Sequence, residues 1–190
     1  MEYRYRQYLQ LVIRNILFFV ALLLIAVIVF LLGRCNMFSE KWNYRFLELA
    51  TLVSTWSKDP STKTGAVVVG PDKEIRATGY NGFVRGVEDD VPERLERPTK
   101  YDFFEHAERN AIYNACLIGT QLKGCTIYCT LTPCTDCARA IIQAGIKEVI
   151  TYEYKTDVND PKNTWRDKLS YSAQMFNEAG IKYVELPRKK

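Results

Sequence analysis

Cys125-Thr126-Ile127-Tyr128-Cys129-Thr130-Leu131-Thr132-Pro133-Cys134-Thr135-Asp136-Cys137, continued through Gly145 to Tyr154, is the stretch that decides how this chain folds. Cys125 to Thr130 is rich in β-formers and reads as a strand. Pro133 opens a helix that runs to about Ala144, with Gly145 as its stop. Lys147 to Tyr154 reads as the next strand. Working outward, Glu105 to Ile118 precedes this unit as a helix. Thr164 to Ala179 follows as another, and Ile181 to Leu186 closes the chain as a strand. Nearer the N-terminus, Trp42 to Ser57 carries Phe46, Leu49, Ala50, Val53 and Trp56 at helical spacing, and Lys58-Asp59-Pro60-Ser61 ends that helix. Gly65 to Gly70 is a β-branched run, hence a buried strand. Pro71-Asp72-Lys73 turns it into a hairpin partner, Glu74 to Tyr80. Strands alternating with helices after an opening hairpin predict an α/β, three-layer fold: a mixed sheet of about five strands with helices on both faces. Residues 81–104 carry glycine, proline and many charges with little periodicity. Their position before Glu105 makes them a candidate substrate-covering loop.

The 190 residues suffice for one domain with a real core plus an appendage. A net charge of +4 gives no reason to expect a nucleic-acid partner, and none is expected. Six cysteines in a mid-sized α/β pattern do not read as a secreted disulfide framework, so a reducing compartment is expected. Cys116, Cys125 and Cys129 fall in apolar runs and read as small core residues.

The appendage is the apolar run Ile16 to Leu32, unbroken by any polar residue. It makes about 25 Å of helix against a hydrocarbon core of about 30 Å. Leu9 to Gly33 spans that core if Arg14 snorkels. The expected organisation is therefore an N-terminal segment, 1–36, with a transmembrane helix over about 9–33, and a globular domain over 37–190. Arginines and lysines flank the run on both sides, so charge does not decide its orientation. Met37-Phe38-Ser39-Glu40 would also serve as the start of a soluble protein.

The chemistry rests on the only histidine, His106, in His106-Ala107-Glu108, followed by Pro133-Cys134-Thr135-Asp136-Cys137. One nitrogen and two thiolates suit zinc, and three protein ligands leave a fourth position for water. Cys134 and Cys137 are three apart at a helix start, so both sulfurs face one way and the helix N-terminus favours their thiolate forms. His106 also stands near a helix start. Glu108 is not needed as a ligand and is placed to move protons. His-x-Glu followed by Pro-Cys-x-x-Cys is the pattern of zinc deaminases acting on nucleobases. A lone Cys-x-x-Cys would equally be a structural zinc clip or a redox pair; the ordered combination is far more specific.

Several blocks resemble the cytidine and deoxycytidylate deaminase superfamily, in its deoxycytidylate branch. They are Ser57-Lys58-Asp59-Pro60-Ser61-Thr62-Lys63-Thr64-Gly65-Ala66, Gly79-Tyr80-Asn81-Gly82-Phe83, Arg97-Pro98-Thr99-Lys100-Tyr101 and Ala140 to Ile150. The resemblance covers most of the chain after Met37 and implies a cytidine-deaminase-like fold. It implies one catalytic zinc held by His106, Cys134 and Cys137, with Glu108 as proton shuttle and dCMP as substrate, giving dUMP for thymidylate synthesis. Asn81 would contact the nucleotide. An asparagine flanked by glycines at a strand end offers a donor and an acceptor where backbone can approach. Lys63, Arg85, Arg109 and Arg139 are candidates for the phosphate, and Tyr154 for stacking on base or sugar. The resemblance further implies a homo-oligomer, and dCTP and dTTP as effectors through Gly79, Tyr80 and Gly82. With one histidine, the chain cannot copy the second, structural zinc of some members. Intracellular nucleotide chemistry places the deaminase domain on the cytoplasmic side of a single-pass membrane protein, or in the cytoplasm if translation starts at Met37. Two alternatives stay open: a deaminase of another cytosine nucleoside, nucleotide or related base, and a membrane-tethered nucleotide sensor.

Overall fold

The computed structural model describes residues 14–22, 24, 38–153 and 166–189. The chain divides into two compact units, Met1–Ser39 and Glu40–Lys190. In the first, residues 14–22 and 24 are helical and exposed. The rest of the expected 9–33 span lies outside the described residues, as does Tyr154. Among the described residues no helix is long and apolar enough to cross a membrane.

The second unit is built on a five-stranded sheet. Its strands are β1 (Gly65–Val69), β2 (Ile75–Tyr80), β5 (Thr126–Cys129), β6 (Glu148–Tyr152) and β7 (Lys182–Leu186), in the order β2-β1-β5-β6-β7. β1 pairs antiparallel with β2 and β5, and β5, β6 and β7 run parallel, so the sheet is mixed as expected. Every residue of β1, β5 and β6 is buried, which requires cover on both faces. Successive side chains point to opposite faces. Ala66, Val68, Ile127, Cys129 and Val149 join one core cluster with Ala107, Ala111, Ala115, Ala138, Ile141 and Phe176. These come from α3 (Ala107–Ile118), α4 (Thr135–Gln143) and α5 (Arg166–Glu178). On the opposite face, α1 (Glu40–Ser54) lays Phe46 against Tyr128, ring centroids 5.0 Å apart. Asn43 accepts the Tyr128 hydroxyl at 2.9 Å.

Two glycines set how closely helices approach. A Cβ on Gly65 would overlap the Ala50 carbonyl of α1, and one on Gly79 would overlap the Ala107 carbonyl and the Ala111 amide of α3. The alanine stripe of α3 completes the second contact. Its axial position is then fixed by two asparagines that satisfy carbonyls of the edge strand. Asn110 Nδ2 donates to Tyr80 O, and Asn114 Nδ2 to Thr78 O, both at 2.8 Å.

The loop over 81–104 is more ordered than its composition suggests. Its ends close in a two-stranded ladder of β3 (Gly82–Phe83) with β4 (Phe104–Glu105), and Phe83 packs on Phe104 at 4.5 Å. Between them lie a 3-10 turn at Pro92–Leu95 and the short α2 (Lys100–Phe103). Three sequence expectations need correction. Glu105 is in β4, so the helix after it starts at Ala107. α1 ends at Ser54, which leaves Trp56 exposed rather than on its apolar face. Cys116 is exposed, because Ala107, Ala111 and Ala115 form the inward stripe and residue 116 lies about 100° round the helix from 115. Cys125 and Cys129 are buried as expected.

Gly79→Ala must push α3 off the sheet. We expect a stability loss of about 3 kcal/mol in urea unfolding, in the range of overpacked cores, together with weakened zinc binding because His106 rides on that helix.

Candidate active site

His106 is the N-cap of α3 and Cys134 the N-cap of α4, both in extended backbone conformation, and neither side chain caps its own helix. Imidazole and thiol are thus left to face a common point. Cys137, in the first turn of α4, faces the same point. The Nδ1 and Sγ atoms of His106, Cys134 and Cys137 all lie within 4.8 Å of one another. Nδ1 is 3.4 Å from Cys134 Sγ and 3.5 Å from Cys137 Sγ. Tetrahedral zinc with bonds of about 2.0 Å to nitrogen and 2.3 Å to sulfur separates such donors by about 3.6 Å, so the set fits zinc.

The electrostatics are those of a site prepared for a cation. Cys134 is lowered to about 4, first by a hydrogen bond from Cys137, with His106 also contributing. Cys137 is pushed well up, first by its bond to Cys134 and then by burial. His106 is raised, chiefly by its hydrogen bond with Cys134. A divalent ion displaces the protons that these groups still hold. Glu108, only 7% exposed, has its carboxyl raised by burial, against the opposing charge of His106. Cys129 behind it is raised well above a free thiol by burial and belongs to the core.

Glu105 holds the approach to His106. Its Oε1 accepts the His106 backbone N–H at 3.0 Å and pairs with Arg109. Arg109 also reaches Asp136 of α4 at 3.9 Å, and Asp136 pairs with Arg139. Arg85 donates to Asn114 at 2.7 Å. Three phosphate candidates are therefore already engaged, while Lys63 stays exposed. Asn81 is buried and its amide is committed. Nδ2 donates to Asp59 Oδ2 at 3.0 Å and to Thr62 O at 2.8 Å, and Oδ1 accepts from Thr64 N at 2.7 Å. Of the residues expected to bind effectors, Gly79 is a helix-packing position, Gly82 lies in β3, and Tyr80 stands edge-on to Trp56 at 6.1 Å.

Three residues the sequence reading passed over stand here: Glu105, Asp59 and Lys100. Asp59 and Lys100 lie within the quoted family-like blocks, which was the available clue. Nothing in a sequence tells that a lysine is 5% exposed.

A buried carboxylate beside three donors that fit zinc, at two helix N-termini, is the arrangement of a hydrolytic zinc centre. Residues 40–153 match the model of the "Cytidine and deoxycytidylate deaminase zinc-binding region", and the chain belongs to that family. An Aliivibrio fischeri protein described as an "Uncharacterized deaminase in luxG 3'region" is 42% identical over 148 residues, covering 78% of this chain and 95% of that protein. Human deoxycytidylate deaminase is 40% identical over 148 residues, covering 75% and 78%. The structure of the cyanophage S-TIM5 dCMP deaminase in complex with dCMP and dUMP superposes with TM-score 0.62 at 25% identity, covering 78% of this chain and 99% of that one.

Loading the metal at neutral pH must release the Cys137 proton and any proton on His106. Apparent zinc affinity is therefore expected to rise at least about tenfold per pH unit between pH 6 and 8 in chelator competition. A pH-independent affinity would contradict this protonation pattern.

Proposed function

We propose that this protein catalyses the zinc-dependent hydrolysis of dCMP to dUMP and ammonia, supplying dUMP for thymidylate synthesis. The observation that carries the reading is buried Glu108 beside the His106, Cys134 and Cys137 donor set. The deoxycytidylate deaminases among the relatives support dCMP as the substrate. Bound zinc supplies the polarisation that lets water attack C4 of the cytosine ring at neutral pH. Glu108 takes a proton from the attacking water and delivers protons to ring N3 and to the departing amine. Its raised carboxyl suits it to hold a proton between those transfers. Burial around Glu108 excludes bulk water from competing for that proton.

Asn81 binds the sugar. Both of its amide hydrogens are used within the protein, so it has only a lone pair on Oδ1 to offer. On dCMP with a dianionic phosphate, the donors are the exocyclic amine, which must lie at the zinc, and the 3′-hydroxyl. Lys63, exposed four residues from Asp59, serves the phosphate, and Tyr154 stacks on the base or sugar. Gly79, Tyr80 and Gly82 take part in dCTP and dTTP regulation of a homo-oligomer, a reading that rests on resemblance. The apolar run Ile16 to Leu32 supports a membrane tether, and intracellular nucleotide chemistry puts the catalytic unit on its cytoplasmic side; a start at Met37 would leave a soluble cytoplasmic enzyme.

Glu108→Gln should retain one zinc per chain, measured by elemental analysis, and lose about 10³-fold in kcat, measured by ammonia release. Wild-type turnover should be fastest on dCMP among dCMP, deoxycytidine and CMP. Turnover of deoxycytidine without dCMP would overturn the substrate assignment. In cell fractionation, the full chain should sediment with membranes and a chain started at Met37 should not, both keeping dCMP turnover.

A further inference from the structure

A second charged cluster lies outside the zinc site and takes no part in the proton transfers. Lys100 Nζ donates to Asp59 Oδ2 at 2.7 Å and to Ser61 Oγ at 2.9 Å. The side chains of Lys100 and Asp59 are 7% and 3% exposed. Lys100 Nζ also lies 5.5 Å from the centre of the Phe104 ring. Burial alone would raise the Asp59 carboxyl; hydrogen bonds from Lys100, Ser61 and Thr62 outweigh it and hold it below the ordinary value. A buried ion pair costs more in desolvation than an apolar pair of the same size, so it is poor evidence of net stabilisation. What it can supply is orientation.

Asp59 Oδ2 receives two donors, Lys100 Nζ and Asn81 Nδ2. With Asp59 charged, the Asn81 amide has one favourable orientation. Flipping it would set Oδ1 against Asp59 Oδ2 and Thr62 O, and Nδ2 against the Thr64 N–H. The Ser57 hydroxyl, donating to Asn81 O at 2.6 Å, fixes the backbone of the same residue. The cluster joins three segments: the 57–64 loop, the β2–β3 junction at Asn81, and α2. α2 runs directly into β4 and His106.

We propose that Lys100 and Asp59 are positioning residues that hold the Asn81 amide as a hydrogen-bond acceptor for the sugar 3′-hydroxyl. This rests on the dCMP reading above. Lys100 neutralises Asp59 without competing for the Asn81 amide, and Asp59 fixes which amide atom keeps a lone pair to accept with. Neither touches substrate. Their effect falls on recognition of the sugar, and the chemistry at Glu108 is left alone.

The test compares dCMP with 2′,3′-dideoxycytidine monophosphate, which lacks only the 3′-hydroxyl, on the full-length zinc-loaded protein. Wild type should show a KM for dCMP about tenfold below that for the dideoxy nucleotide, the worth of roughly one hydrogen bond. Without Lys100 the buried Asp59 carboxyl takes up a proton and can donate to a flipped Asn81 amide. Lys100→Met should therefore raise the KM for dCMP about tenfold, leave the KM for the dideoxy nucleotide within about twofold, and keep kcat and zinc content. Because Lys100→Met leaves Asp59 unpaired in the interior, the double variant Asp59→Asn with Lys100→Met is assayed beside it and should show the same pattern. A wild type that does not distinguish the two nucleotides overturns the proposal, as do equal KM changes for both or no change for either. If neither variant folds, the pair is structural only and the proposal is overturned. A wild type that turns over neither nucleotide overturns the dCMP reading itself.

Discussion

His106 Nδ1 lies 3.4 Å and 3.5 Å from two cysteine sulfurs that follow it in sequence by 28 and 31 positions. Those distances require two helices to begin at one point, and the remaining structure serves that requirement. α3 reaches the point because Gly79 lets its backbone sit directly on β2. It stops at the correct height because Asn110 and Asn114 bond the carbonyls of the edge strand. α4 reaches the point because β5 ends at Cys129, and the turn through Pro133 leaves Cys134 as the cap. Both helix N-termini favour negative charge there, which suits thiolates and, with them, a divalent ion.

The same end of the sheet gathers further polar groups. Thr64 and Asn81 meet at one end of the β1–β2 hairpin, and Glu105 pairs with Gly82 in the small ladder beside them. Thr130, just past β5, bonds Gly65 through both backbone and side chain. In open α/β sheets, ligands bind where parallel strands end, and here the carboxyl ends of β5 and β6 face that position. The antiparallel hairpin adds Asn81 from the neighbouring edge. Charge is arranged accordingly. Glu105, Arg109 and Asp136 pair with one another beside His106, while Asp59 and Lys100 pair in the interior.

Local chemistry was legible wherever one residue type or one period carried it. The β-branched run at Gly65 to Gly70, the hairpin turn at Pro71-Asp72-Lys73 and the helix start at Pro133 all appear close to their expected places. The errors have a common physical origin in packing. Trp56 and Cys116 are apolar by composition, yet each falls just outside the stripe that the sheet covers. Residues 81–104 lack periodicity because their order comes from pairing with each other at Gly82 and Glu105 and from a single buried lysine. Asn81 reads from sequence as a donor and an acceptor. Only its surroundings reveal that both donor hydrogens are spent.

By itself the sequence determined the donor set, because a chain with one histidine has one imidazole to give a metal, and the spacing of Cys134 and Cys137 holds within any helix. It also determined the mixed α/β architecture, since alternating strand and helix patterns after a hairpin leave few other ways to bury both faces of a sheet. The tertiary structure alone decided that Glu108 is buried, that three arginine candidates are already paired, and that Asp59 and Lys100 meet behind Asn81. Burial and pairing depend on segments far apart in the chain, 41 positions for Lys100 and Asp59, and no local pattern encodes such a meeting.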